Sequence, residues 1–134
     1  MSKGKKALTV AGIVLQVLVG AAMILAGSGK ALGGAPPEIT AKMAAYGMTD
    51  KVALIGWGEM IAAVVMILPW TAGLGTLAVS GFWGGVICIH MSHGEDYTLG
   101  IVFMIVTWVG AVLRIPALRP EIGHKAVAPT TPAE

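Results

Sequence analysis

This sequence is short of charge. Only 12% of its residues are Asp, Glu, Lys or Arg, about half of the roughly 25% found in soluble domains. With 56% hydrophobic residues and a mean hydropathy of +0.82, that shortage excludes an ordinary water-soluble domain. Cysteine is scarcer still. The lone Cys88 excludes an intramolecular disulfide and any Cys-x-x-Cys pair, so the chain's own thiols are not a two-electron carrier. The formal charge of +2 is too small, and its basic residues too scattered, for a nucleic-acid partner. A metal-grade ligand set is also missing. His90, His93 and Glu95 fall at i, i+3 and i+5, but polar residues at a membrane boundary need no metal, and no metal site is expected. A b-type haem wants histidines on two facing helices, and one span alone offers any.

What is present is a series of apolar runs, which predicts an integral membrane protein. A bilayer leaves no water for backbone groups, so a chain of 134 residues is expected to form one all-α domain, a four-transmembrane-helix bundle. The spans are read at about 7–27, 52–68, 72–91 and 97–115, within a domain of residues 1–119. Lys3, Lys5 and Lys6 precede a first run longer than the roughly 7–15 residues of a signal peptide, with no Ala-x-Ala site behind it. A retained first span is expected. Between spans 1 and 2, Pro36-Pro37-Glu38 reads as a helix start, and Ile39, Met43 and Tyr46 share a face up to a closing Gly47. This predicts a short amphipathic helix over 37–46 on the membrane surface. Thr49 or Asp50 is expected to cap the second span. Pro69-Trp70-Thr71 is a tight turn, Ser92 to Asp96 a polar loop, and Arg114 and Arg119 mark the exit of the fourth span. Trp57, Trp70 and Tyr97 are read as interface anchors, and 120–134, rich in Ala, Pro and Thr, as disordered.

Lysine and arginine set the orientation. Lys3, Lys5, Lys6, Arg114, Arg119 and Lys125 fall on one side, against Lys30, Lys42 and Lys51 on the other. That bias places both termini in the cytoplasm of a bacterial inner membrane. Lys30, Glu59, His90 and His93 then gather toward the outer half, with Arg114 excluded at the opposite end. Glu59 is the residue that needs explaining. A charge within a span costs about 2.5–3.5 kcal/mol on insertion scales, so it requires a partner or a neutral form. Lys30 is the expected partner, and a structural pair and a ligand or proton site are both open readings. Small residues mark the packing faces: Gly12, Gln16 and Gly20; Gly56, Glu59 and Ala63; and Thr76, Ser80, Gly84 and Cys88 beside a Gly81/Gly85 pair.

These residues carry a family resemblance. Gly27 to Lys30 form a Gly-x-x-Lys, followed by Tyr46-Gly47 and Ile55-Gly56-Trp57-Gly58-Glu59. A proline then ends the second span, Gly73 and Gly75 open the third, and His90 closes it. The order resembles the DoxX-like family of four-helix bacterial membrane proteins over roughly residues 10–115. The family takes its name from a membrane subunit of a thiosulfate:quinone oxidoreductase, and other members are associated with redox or sulfur metabolism. The resemblance implies an accessory subunit of a membrane redox system, or one that binds a quinone or another small molecule such as a sulfur compound, with no intrinsic cofactor and with Lys30, Glu59, His90 and His93 as ligand or proton site candidates. The alternative is a non-catalytic assembly or structural subunit that packs against partner transmembrane helices or a second copy. Distant animal relatives resemble assembly chaperones for membrane receptors. No catalytic residue can be named, and catalysis by this chain alone is not expected.

Overall fold

The computed structural model describes residues 3–119, and the expected tail at 120–134 lies outside them. Five α-helices follow in order: α1 (Lys3–Ala31), α2 (Pro37–Ala45), α3 (Val52–Ile67), α4 (Ala72–Ser92) and α5 (Thr98–Arg114), with no strand among the described residues. The four long helices form a ring in which α1 and α4 each pack against α3 and α5. Two of them, α1 and α4, are long and apolar enough to cross a membrane; α3 has 16 residues and α5 has 17.

The distribution of side chains is inverted relative to a soluble protein. Leu18, Leu25, Leu54, Leu74 and Leu99 point outward, while Gln16, Glu59, Thr76, Thr107 and Arg114 are buried. Between the polar layers Val19, Met23, Ala62, Ala63, Met66, Val79 and Trp83 form the apolar core. Trp83 stacks on Phe103 at 4.5 Å between ring centroids.

Two glycine contacts set the helix crossings. A Cβ on Gly56 would lie 2.5 Å from the Gly27 carbonyl oxygen, and one on Gly27 would lie 2.8 Å from that of Gly56. α1 and α3 therefore touch backbone to backbone. Toward the opposite end, a Cβ on Gly12 would lie 2.4 Å from the Arg114 nitrogen and 2.6 Å from the Gly110 oxygen, which brings α1 against α5 in the same way.

That second contact places Arg114, which the sequence reading left at the exit of the last span. It is buried and bonds inward. Its Nη1 donates to the Gln16 side-chain oxygen at 2.9 Å and to the Met66 carbonyl at 2.8 Å, and its Nη2 donates to the Ile67 carbonyl at 2.8 Å. Gln16 in turn donates to Thr76 Oγ1 at 3.0 Å, so one side-chain network joins all four long helices. The need is local. α3 stops before Pro69, which has no N–H to give, so its last carbonyls would be unpaired in an apolar interior. Thr71 Oγ1 donates to the Val65 carbonyl at 2.7 Å, and the Arg114 fork takes the next two.

Other expectations change in detail. The first helix starts at Lys3 and ends at Ala31, beyond the 7–27 expected, because the lysines and the Gly27–Lys30 segment continue its backbone ladder. Neither Thr49 nor Asp50 caps α3. A 3-10 turn over Thr49–Lys51 leads into it, and Asp50 pairs with Lys51 at 2.6 Å. The small-residue face of α4 is the largest correction. Gly75, Thr76, Val79 and Trp83 form its buried face, because Gly75 abuts Met66 and Thr76 meets Gln16. This rotation turns Gly81, Gly85 and Cys88 outward and leaves Ser80 and Gly84 half-buried. A Cβ on Gly81 or Gly85 would meet nothing within 4 Å.

Replacing Arg114 tests the network. Arg114→Met leaves three acceptors unpaired at about 1–3 kcal/mol each, so thermal unfolding in mild detergent should show a loss of several kcal/mol. Arg114→Lys should restore only part of it, because an ammonium cannot supply the planar two-pronged fork. Full restoration by lysine would show that charge, not geometry, matters there.

Candidate functional site

The Gly27/Gly56 contact explains why Lys30 and Glu59 meet. Each lies three residues beyond its glycine, on the same helix face, so the closest approach of α1 and α3 delivers one side chain to the other. The Lys30 ammonium donates to Glu59 Oε2 in a pair whose side chains are 13% and 3% exposed. Glu59 is seven residues into α3, about 10 Å from its start at 1.5 Å per residue. The Lys30 nitrogen also lies 5.7 Å from the centroid of the Phe82 ring, within reach of the negative face of the ring.

His90 and His93 do not join this pair. They belong to a second cluster, built by two helix ends. α2 ends in a Schellman motif: Met48 N–H bonds the Met43 carbonyl at 2.8 Å, Gly47 N–H bonds that of Ala44 at 3.0 Å, and Gly47 has φ +69°. α4 ends in the same way at Gly94, with Glu95 N–H to the His90 carbonyl at 2.9 Å. The two turns bring Tyr46 and Glu95 together. The Tyr46 hydroxyl and, at 3.1 Å, the Lys42 ammonium both donate to Glu95 Oε2. His90 Nε2 is 3.6 Å from that oxygen and pairs with it only when the ring is protonated, while Nδ1 lies 3.0 Å from the Val86 carbonyl. The Tyr46 ring leans on His93, with centroids 4.6 Å apart.

The electrostatics of this cluster follow from its bonds. Hydrogen bonds from Tyr46 and then Lys42 hold the Glu95 carboxyl below its ordinary 4.5. Burial, then the bond to Glu95, pushes the Tyr46 phenol up from 10.0 to about 12. Both groups keep the form that the bond needs over a wide range.

A cavity of about 340 Å³ lies between the two clusters, against α3 and α4. Ile55 and Gly58 of α3 and Gly81, Phe82, Gly85, Val86 and Ile89 of α4 line it, with Met43, Tyr46 and Met48 on the remaining side. Its volume is at the lower end of small-molecule sites. Phe82 belongs both to its wall and to the surroundings of Lys30, and Tyr46 both to its wall and to the Glu95 cluster. The outward glycines of α4 therefore shape a hollow, where the sequence suggested helix packing. Among the described residues, no group of three or more His, Cys, Asp or Glu is arranged to hold a metal ion.

The sequence reading anticipated the Lys30–Glu59 pair and missed the role of Tyr46, Lys42 and Glu95. The only available signal was the repeated glycine after a helix end, at Gly47 and Gly94. A family model, described as the DoxX-like family, matches residues 14–114. No curated protein and no solved structure matches the chain.

Two measurements follow from this geometry. Glu59→Gln and Lys30→Met should each destabilise the protein by about 3–5 kcal/mol, since each strands a buried polar partner, and the double mutant should lose less than the sum. Additive losses would mean the two are not coupled. In a Tyr97→Phe background, which leaves Tyr46 as the one tyrosine, an ultraviolet titration should show ionisation near 12, falling only part of the way back in Glu95→Ala, because burial, the larger cause, remains. The signs set the pH window. A raised phenol pKa stabilises below 10.0 and is lost toward 12, and a lowered carboxyl pKa stabilises above 4.5 and is lost below it. The Tyr46–Glu95 bond should thus hold unchanged between those limits.

Proposed function

The chain belongs to the DoxX-like family and is a membrane protein, and we propose that it binds a quinone or a similar small amphipathic molecule for a redox system of the bacterial inner membrane. In this reading all four long helices span the bilayer, both termini face the cytoplasm, and the Lys30–Glu59 pair lies in the outer half. α3 is about 24 Å long at 1.5 Å per residue, shorter than a hydrocarbon core of about 30 Å. The 3-10 turn before it and the sealed carbonyls after it let so short a helix serve as a span. Outward leucines and inward polar residues suit lipid on every side.

The observation that carries the ligand is the cavity itself. Its wall is apolar, and one phenol, Tyr46, stands at its edge. Those residues fit a flat ring with a polar end: Ile55, Val86 and Ile89 flank it, and the Tyr46 oxygen, whose proton goes to Glu95, can accept from the hydroxyl of a reduced, quinol-type ring. A bound quinone supplies two-electron, two-proton chemistry to whichever partner delivers the electrons. The residues of this chain bind and orient. Lys30 pairs with Glu59 behind Phe82, and the Tyr46 hydroxyl holds a proton at the cavity edge, with Glu95 as its acceptor. His90, beside Glu95, is the next group a proton can reach.

A second reading rests on the open surface at Gly81 and Gly85, where a partner's transmembrane helix can approach closely. The protein would then be a non-catalytic assembly subunit. Purification in mild detergent followed by solvent extraction separates the two. We expect a quinone at near-equal molar amount, lost when Gly85→Leu fills the cavity. An empty protein that instead carries a stoichiometric membrane partner would favour the assembly reading.

A further inference from the structure

We propose that α2 is the lid of the α3–α4 cavity and that Glu95 is its catch, so that ligand passes in and out when α2 lets go of the α4–α5 turn. The proposal rests on the cavity being a ligand site and concerns how that site opens. Three observations carry it. No residue of α2 is buried, yet Met43 within it, with Tyr46 and Met48 just beyond, forms one wall of the cavity. The side-chain bonds that hold this segment to the α4–α5 turn converge on one atom: Lys42 and Tyr46 both donate to Glu95 Oε2. Glycine turns lie on each side. Gly33 (φ +76°) and Gly34 precede the helix and Gly47 (φ +69°) follows it, and a Cβ on any of the three would meet nothing within 4 Å. The helix is therefore a short piece between two glycine turns, and its polar bonds to the α4–α5 turn meet at one carboxylate, beside the ring contacts of Tyr46 with His90 and His93.

The catch also joins two functions in one residue. Tyr46 cannot leave Glu95 without withdrawing from the cavity wall, so releasing the catch and opening the wall are one movement. The groups facing Glu95 are Lys42 and Tyr46 from the α2 segment and His90 from α4, with Asp96 next in sequence. The Tyr46 and Lys42 hydrogen bonds favour the charged carboxylate, so the lid is fastened at neutral pH. Opening at that pH is a thermal event or one driven by the ligand.

The test is thiol accessibility, which requires no ligand. In a Cys88→Ala background, Met43→Cys places a thiol on the lid wall and Gly85→Cys places one on the opposite wall. Ala44→Cys, on the exposed side of α2, serves as control. With protein in vesicles and a water-soluble maleimide, adding Glu95→Ala should speed labelling at both wall positions about five-fold, the size expected from losing one hydrogen bond and one exposed ion pair. The control should not change. Unchanged rates at both wall positions would overturn the proposal, and so would an equal acceleration at Ala44→Cys, which would mean that α2 had unfolded. Because the readout is accessibility alone, the lid can fail while extraction still yields a quinone, and the reverse.

Discussion

The contact between Gly27 and Gly56 is the constraint on which the rest of the structure depends. Any side chain at either position would push α1 from α3, because the atoms in the way are backbone carbonyls, which have no rotamer to change. Lys30 would then fall short of Glu59. A carboxylate buried in the bundle without its counter-ion would be worth several kcal/mol of destabilisation. The pair is thus less a source of stability than a condition for keeping Glu59 at all. It also positions the rest: Lys30 sits over Phe82, and Phe82 forms part of the cavity wall.

The opposite end of the bundle repeats this logic with different chemistry. There Gly12 and Gly110 bring α1 against α5, and the residues four further on, Gln16 and Arg114, meet. The charge is matched by carbonyl oxygens of a helix that ends abruptly, which favour a cation through the dipole of the helix. Each end of the bundle therefore has a glycine crossing, and each crossing delivers a polar pair to the interior. One pair is ionic and lies beside a cavity. The other is a cation on neutral acceptors and locks the turn between α3 and α4.

Residues that act within one helix, or between two glycine-marked faces, were legible in the sequence. Gln16, Gly56 and Glu59 fell on interior faces as expected, and Lys30 was the partner that the charge of Glu59 demanded. Arg114 was not legible as a buried group, since an arginine at the end of an apolar run reads first as an interface residue. The clue was Gly110, four residues before it, matching Gly12 before Gln16. The outward turn of Gly81 and Gly85 was hidden for a different reason: small-residue spacing names two candidate faces of α4, and only the contacts of Gly75 and Thr76 choose between them. The Tyr46–Glu95 bond spans 49 residues and depends on two turns whose directions no local pattern fixes.

The central claim is that Lys30 and Glu59 form an ion pair inside the bundle. Infrared difference spectra between the wild-type protein and Glu59→Gln, recorded in lipid bilayers at neutral pH, read this directly. The account predicts that the substitution removes carboxylate absorption and no band of a protonated acid, and that such a band appears in Lys30→Met and vanishes on adding Glu59→Gln. Loss of a protonated-acid band on mutating Glu59 in the otherwise wild-type protein would contradict it, since the group would then be neutral and Lys30 would not be its counter-ion.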